Sequence, residues 1–192
     1  HKMECKKRAA EIYDEKLFKQ PPPLDDCDIC MLLLPSMVTG RKYSACCGKT
    51  ICSGCVHAVA IRDGGVGLCP FCRTPTPTTD EEMMEQIKKR MEVDDAKAIH
   101  TLGSCYSDGD FGLPQNSAKA LELYHKASEL GYAAAYNNIG NAYYFSRGVE
   151  RDEKKADHYY ELAATGGVAV ARHNIGNFDK MRNQQARYGY QL

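Results

Sequence analysis

Eight of the ten cysteines fall between positions 27 and 72, in close pairs: Cys27-x-x-Cys30, Cys46-Cys47, Cys52-x-x-Cys55 and Cys69-x-x-Cys72. A two-residue spacer that turns back on itself brings two sulfurs to one ion, and eight thiolates fill two tetrahedra. The spacing therefore predicts two zinc ions, with Cys27, Cys30, Cys46, Cys47, Cys52, Cys55, Cys69 and Cys72 as ligands. The competing reading is a disulfide framework. The opening run His1 to Arg8 has no apolar stretch behind its charges, which argues against a secretory signal and so against disulfides. A reducing compartment, cytoplasmic or nuclear, is the expectation. So short a segment holds too little apolar material to fold by burial alone, and metal coordination must supply much of its stability.

Charge narrows the partners. Lysine plus arginine equals aspartate plus glutamate, 25 against 25, so nothing draws the chain to nucleic acid or an acidic membrane. The apolar runs Met31 to Leu34 and Val56 to Ile61 are far short of the roughly 20 residues of a membrane span. Other proteins are the expected partners. The sequence does not indicate an oligomeric state, and histidine at position 1 is consistent with a fragment.

Residues 1–23 read as a charged helix, about 3 to 19, stopped by Pro21-Pro22-Pro23. The cysteine segment occupies 24–73. Thr74-Pro75-Thr76-Pro77-Thr78-Thr79 then reads as a stiff linker, 74–79, that holds two domains apart. Thr79 followed by Glu82 is a capping-box signal, and Met84, Ile87 and Met91 continue it at helical spacing, which predicts a helix over 80–93.

From there to 192 the chain repeats itself. Leu102-Gly103, Ile139-Gly140 and Ile175-Gly176 recur at steps of 37 and 36 residues, and Ala98, Ala135 and Ala171 keep the same register. So do Tyr124 with Tyr160 and Gly131 with Gly167. This period means helix pairs. The units run over about 95–131, 132–167 and, in part, 168–192. Gly112 and Gly148 are expected to end the first helix of their units, and Asn116 and Asp152 to cap the second. The pattern Ala-x-x-x-Leu-Gly-x-x-Tyr with Tyr-Tyr-Glu-Leu-Ala-Ala-x-x-Gly resembles the Sel-one-like repeats, relatives of the tetratricopeptide repeats. The resemblance implies an all-α solenoid that holds proteins.

The cysteine segment is similar to the RING fingers, in particular the eight-cysteine variety of the ubiquitin ligase subunit of the Ccr4-Not complex. Cys47-Gly48-Lys49-Thr50-Ile51-Cys52-Ser53-Gly54-Cys55 and Leu68-Cys69-Pro70-Phe71-Cys72-Arg73 carry the likeness. It implies a small zinc-stabilised α+β RING domain ahead of the repeats, with Cys27, Cys30, Cys52 and Cys55 on one ion and Cys46, Cys47, Cys69 and Cys72 on the other. It also implies no catalytic residue of its own. Ile29, Val59, Leu68 and Pro70 would form a groove for a ubiquitin-conjugating enzyme, and Arg73 would steady the attached ubiquitin. Lys49 stands where many RINGs have histidine, and the third and fourth ligands are adjacent, which leaves His57 as an alternative to Cys46. The function implied is a ubiquitin ligase whose repeats bind the substrate. The alternatives are a non-enzymatic adaptor and, disfavoured by the neutral charge, a nucleic-acid-binding zinc finger. His100, His125, His158 and His173 read as packing or surface residues, Cys105 as a small core residue, and Lys88-Lys89-Arg90 as a solvated helix face.

Overall fold

The computed structural model describes residues 26–34, 40–65 and 67–177. The helix expected at 3 to 19 and the tail from 178 lie outside them. The cysteine-rich part contains an antiparallel hairpin, β1 (Arg41–Ser44) and β2 (Lys49–Cys52), in the register Arg41 opposite Cys52 to Ser44 opposite Lys49. Its turn is Ala45 to Gly48, closed by the Gly48 amide donating to the Ser44 carbonyl at 2.8 Å. Helix α1 (Ser53–Arg62) follows directly, because the Cys52 side chain caps it by accepting from the Cys55 amide.

Six further helical stretches follow among the described residues. They are α2 (Asp80–Met91), α3 (Ala96–Asp108), α4 (Ser117–Glu129), α5 (Ala133–Tyr144), α6 (Glu153–Thr165) and a last stretch, 169–177. The N-terminus of α2 follows the capping signal. Thr79 accepts from the Glu82 amide, and the Glu82 carboxylate reaches back to the amide and hydroxyl of Thr78. Among the described residues no helix is long and apolar enough to cross a membrane.

Helices α3 with α4, and α5 with α6, form the two hairpins. A Cβ on Gly103 would lie 2.8 Å from the ring of Tyr124, and one on Gly140 would lie 2.7 Å from the ring of Tyr160. Each glycine is thus the seat for the tyrosine of the partner helix, which explains why glycine and tyrosine repeat together. The hydroxyls are held by the residue after each glycine: Tyr124 donates to Ser104 and Tyr160 to Asn141, at 3.4 and 2.7 Å. Ala98, Ala135 and Ala171 are fully buried at equivalent positions. Asn116 and Asp152 cap α4 and α6 as expected, through the amides of Lys119 and Lys155.

The glycine expectation needs correcting. Gly109, not Gly112, ends α3, in the left-handed conformation at φ 78°. Gly148 lies beyond α5, which ends at Tyr144, and it lets two backbones touch: its Cβ would stand 2.6 Å from the carbonyl carbon of Ser117. A repeating glycine marks a required absence of side chain, and periodicity alone does not tell a cap from a contact.

The larger correction concerns the linker. Residues 74–76 run back along 67–69: the Cys69 amide donates to Thr74 at 2.7 Å, Leu68 bridges to Pro75, and the Thr76 amide donates to Gly67 at 2.6 Å. Proline stiffens its own φ but leaves the neighbouring threonines their backbone groups, and these pair with the cysteine segment, the Thr74 carbonyl accepting and the Thr76 amide donating. The two parts are not held apart. Tyr43 and Ala45 pack with Met84, Ile87 and Leu102 in one apolar cluster.

Candidate metal centre

Two turns of the same kind present four of the cysteines. In the first, the Met31 amide donates to Cys27 and the Cys27 amide to Leu32; in the second, the Arg73 amide donates to Cys69 and the Cys69 amide to Thr74. The residue after each second cysteine is left-handed, Met31 at φ 56° and Arg73 at φ 64°. Cys52 and Cys55 come from the end of β2 and the first turn of α1, and Cys46 and Cys47 from the hairpin turn.

The fold gathers these thiols into two groups, Cys27, Cys30, Cys52 and Cys55, and Cys46, Cys47, Cys69 and Cys72, whose sulfurs lie within 4.8 Å of one another. The groups interleave along the chain, so each one joins a turn from one end of the segment to the hairpin in its middle. Cys46 stands in the second group, and His57 is an exposed residue of α1 outside both.

The geometry suits a tetrahedral thiophilic ion. Four sulfurs at about 2.3 Å from a centre sit about 3.8 Å apart. The Sγ···Sγ separations are 3.8 Å for Cys30 and Cys52, 3.9 Å for Cys47 and Cys69, and 3.4 Å for Cys46 and Cys72. A disulfide would need about 2.05 Å. All nine cysteines of the described residues are free thiols.

The electrostatics agree. Burial and the neighbouring thiols push Cys47 up to about 11 and Cys55 to about 12, and Cys46 higher still. Four crowded sulfurs resist ionising together, and a cation among them removes that resistance. One thiol in each group is already acidified against its burial, to about 6. Amides of Cys52, Cys30 and Ile29 do this for Cys27, and the hydroxyl and amide of Thr74 for Cys72. Packing adds little, since the module's own core is Cys27, Leu34 and Ile51, and α1 buries no residue. Ions held by the two four-thiol groups would supply what packing does not.

The residues named for a docking surface lie around these turns. Ile29 is 37% exposed, Val59, Leu68 and Pro70 are half-buried, and Arg73 is exposed. Met31, Leu32 and Leu33 add exposed apolar side chains beside the first turn, and Phe71 caps the second. Lys49 ties the two together: its ammonium pairs with Asp28 at 2.9 Å and lies over the Phe71 ring.

Sequence reading missed a second site of contact. Arg90 does not face solvent with Lys88 and Lys89; its guanidinium donates twice to Asp95, at 2.8 and 3.0 Å. Asp95 also caps α3 through the amides of Lys97 and Ala98, and accepts from the Tyr43 hydroxyl at 2.8 Å. Gly48, at φ 74°, is the floor of this cluster, because a Cβ there would meet Arg90 at 2.3 Å. The turn that carries Cys46 and Cys47 is thereby fixed to the first repeat.

Residues 96–132 and 133–168 each match the family model described as Sel1 repeat. Comparison with curated proteins found no match. Among solved structures, the chain is similar to a Sel1 repeat protein of Oxalobacter formigenes, at 31% identity over 50% of this chain and 39% of that one, with a TM-score of 0.48. It is also similar to a protective antigen of uropathogenic Escherichia coli with an SLR fold, at 28% identity, 55% and 22% coverage and a TM-score of 0.49. A third is cysteine-rich protein B of Helicobacter pylori, at 22% identity, 62% and 79% coverage and a TM-score of 0.46. The chain thus spans well under half the length of the first two. Residues 96–168 are two Sel1 repeats, and they stand behind a cysteine module with two four-thiol sites suited to metal.

Proposed function

We propose that the module binds two zinc ions as a RING finger and that the protein is a ubiquitin ligase, which recruits a ubiquitin-conjugating enzyme through the module and a protein substrate through the repeats. The observation that carries the reading is the interleaving of the two four-thiol groups around a hairpin and a following helix. Zinc fits best because it takes four thiolates tetrahedrally without redox chemistry. The apolar side chains around Ile29 supply a surface for a partner, and Arg73 follows the last cysteine on that surface.

The ligase works by docking, so its residues bind and orient. A single-turnover assay of ubiquitin discharge from a panel of charged conjugating enzymes tests this. Ile29→Ala should weaken binding of the responding enzyme by about 1 to 2 kcal/mol, since the side chain is partly exposed before docking. Arg73→Ala should leave that binding unchanged and slow discharge, because its contact forms only when ubiquitin is attached. Both variants must retain two zinc ions by native mass spectrometry. If wild type discharges no conjugating enzyme, the module is a zinc-held adaptor and not a ligase.

A further inference from the structure

The side chain of Arg73 is not left to swing in solvent. Its Nη1 donates to Oδ2 of Asp63, the residue that closes α1, while Oδ1 of Asp63 accepts from Arg62 at 3.0 Å. The Asp63 side chain is only 14% exposed, against 47% for Arg73, so the carboxylate is the fixed partner and the guanidinium the presented one. Asp63 is itself anchored by its amide, which donates to Val59 at 2.9 Å. Arg73 is held at its backbone too, by the left-handed turn and the bond from its amide to Cys69 at 3.0 Å. Met31 occupies the same place in the first turn, and its apolar side chain is 70% exposed.

We propose that Asp63 is a positioning residue for Arg73, holding Nη1 of the guanidinium so that its remaining donors are set in advance for the ubiquitin carried by the docked enzyme. An arginine has five N–H donors in a rigid planar fork, and holding one of them restricts where the others point. A long side chain held in this way loses less freedom when its partner arrives, so the benefit appears in the step that needs the oriented contact. The inference rests on the ligase reading of Arg73 and adds a residue from the far end of α1 that no cysteine spacing would single out.

The test is the same discharge assay with Asp63→Ala, Asp63→Glu, Arg73→Ala and the double variant, each checked for two zinc ions and for binding of the uncharged conjugating enzyme. Asp63→Ala should slow discharge about three- to ten-fold with binding unchanged. Asp63→Glu should recover part of the rate. The double variant should be no slower than Arg73→Ala alone. If Arg73→Ala is slow while Asp63→Ala matches or exceeds wild type, Asp63 does not position Arg73 and this inference fails alone. If Arg73→Ala is as fast as wild type, or wild type shows no discharge, the role given to Arg73 fails and this inference falls with it.

Discussion

Tyr43→Phe removes one hydroxyl at the junction between the metal module and the repeats, and its cost should depend on metal. In the folded protein the hydroxyl donates to Oδ2 of Asp95, which also accepts twice from Arg90, while Oδ1 takes the amides of Lys97 and Ala98. Burial first, and then Asp95 beside it, push the Tyr43 phenol far up, so it stays a neutral donor. A hydrogen bond to a charged group contributes about 1.5 to 3 kcal/mol net. Asp95 keeps four donors after the substitution and is not orphaned, so the lower end applies, about 1.5 kcal/mol.

That value holds only while β1 is formed. The hairpin carries Cys46, Cys47 and Cys52, and the module has little core without coordination. With metal removed by a chelator, Tyr43 should already be detached, and Tyr43→Phe should cost nothing. The assay is urea unfolding of the repeat helices by circular dichroism, wild type against variant, with zinc and after chelation. Chelation itself should lower repeat stability, because Tyr43 and Ala45 cover the cluster around Met84 and Ile87. An equal cost with and without metal, or repeats indifferent to chelation, would refute the claim that the two parts share a junction.

Gly140→Ala should destabilise the second repeat by about 1 to 2 kcal/mol: overpacking against the buried Tyr160 ring costs about 1 to 3 kcal/mol, partly offset by the better helix propensity of alanine. Denaturant unfolding reads this, and pairing it with Tyr160→Leu should recover much of the loss. His100 is held down to about 4 by burial, between Tyr124 and Tyr132. Its unfolded value is the higher one, so acid protonates the unfolded chain first. Stability should be unaffected above about pH 6.5 and fall between about 6.5 and 4, by at most about 3 kcal/mol. His100→Asn, which places there the residue found at the equivalent position of the second repeat, Asn137, should flatten that part of the pH profile relative to wild type; an unchanged difference between the two proteins across pH would show that His100 titrates normally.

The features legible in the sequence are those whose physics is local or periodic. The Cys-x-x-Cys turns, the Thr79 and Asn116 caps, and the alternation of glycine and tyrosine all announce themselves within a few residues or at a fixed step, because a metal geometry, an open amide or a helix contact demands them there. What could not be read is pairing between parts that no period relates. Lys88-Lys89-Arg90 looks like one charged run, and Lys89 does pair on the surface with Glu85, yet Arg90 turns to Asp95 and the floor made by Gly48. Charge composition is the same for both residues; only the approach of the hairpin turn separates them. The threonines between the prolines read as a spacer for a similar reason, since stiffness is a property of one residue whereas a bridge needs a partner strand, here 67–69. Both errors have one cause and one consequence. The cysteine module has little apolar surface of its own to spare, so its attachment to the repeats is made through the side-chain hydrogen bonds of Tyr43 to Asp95 and Lys97 to Thr50, the close approach of Gly48 to Arg90 and a few methionine and tyrosine contacts, none of which a hydrophobic pattern reveals. The orientation of the cysteine module relative to the repeat array is accordingly set by Gly48, Tyr43, Arg90 and Asp95, at an angle fixed by that junction and not one sampled freely by a linker.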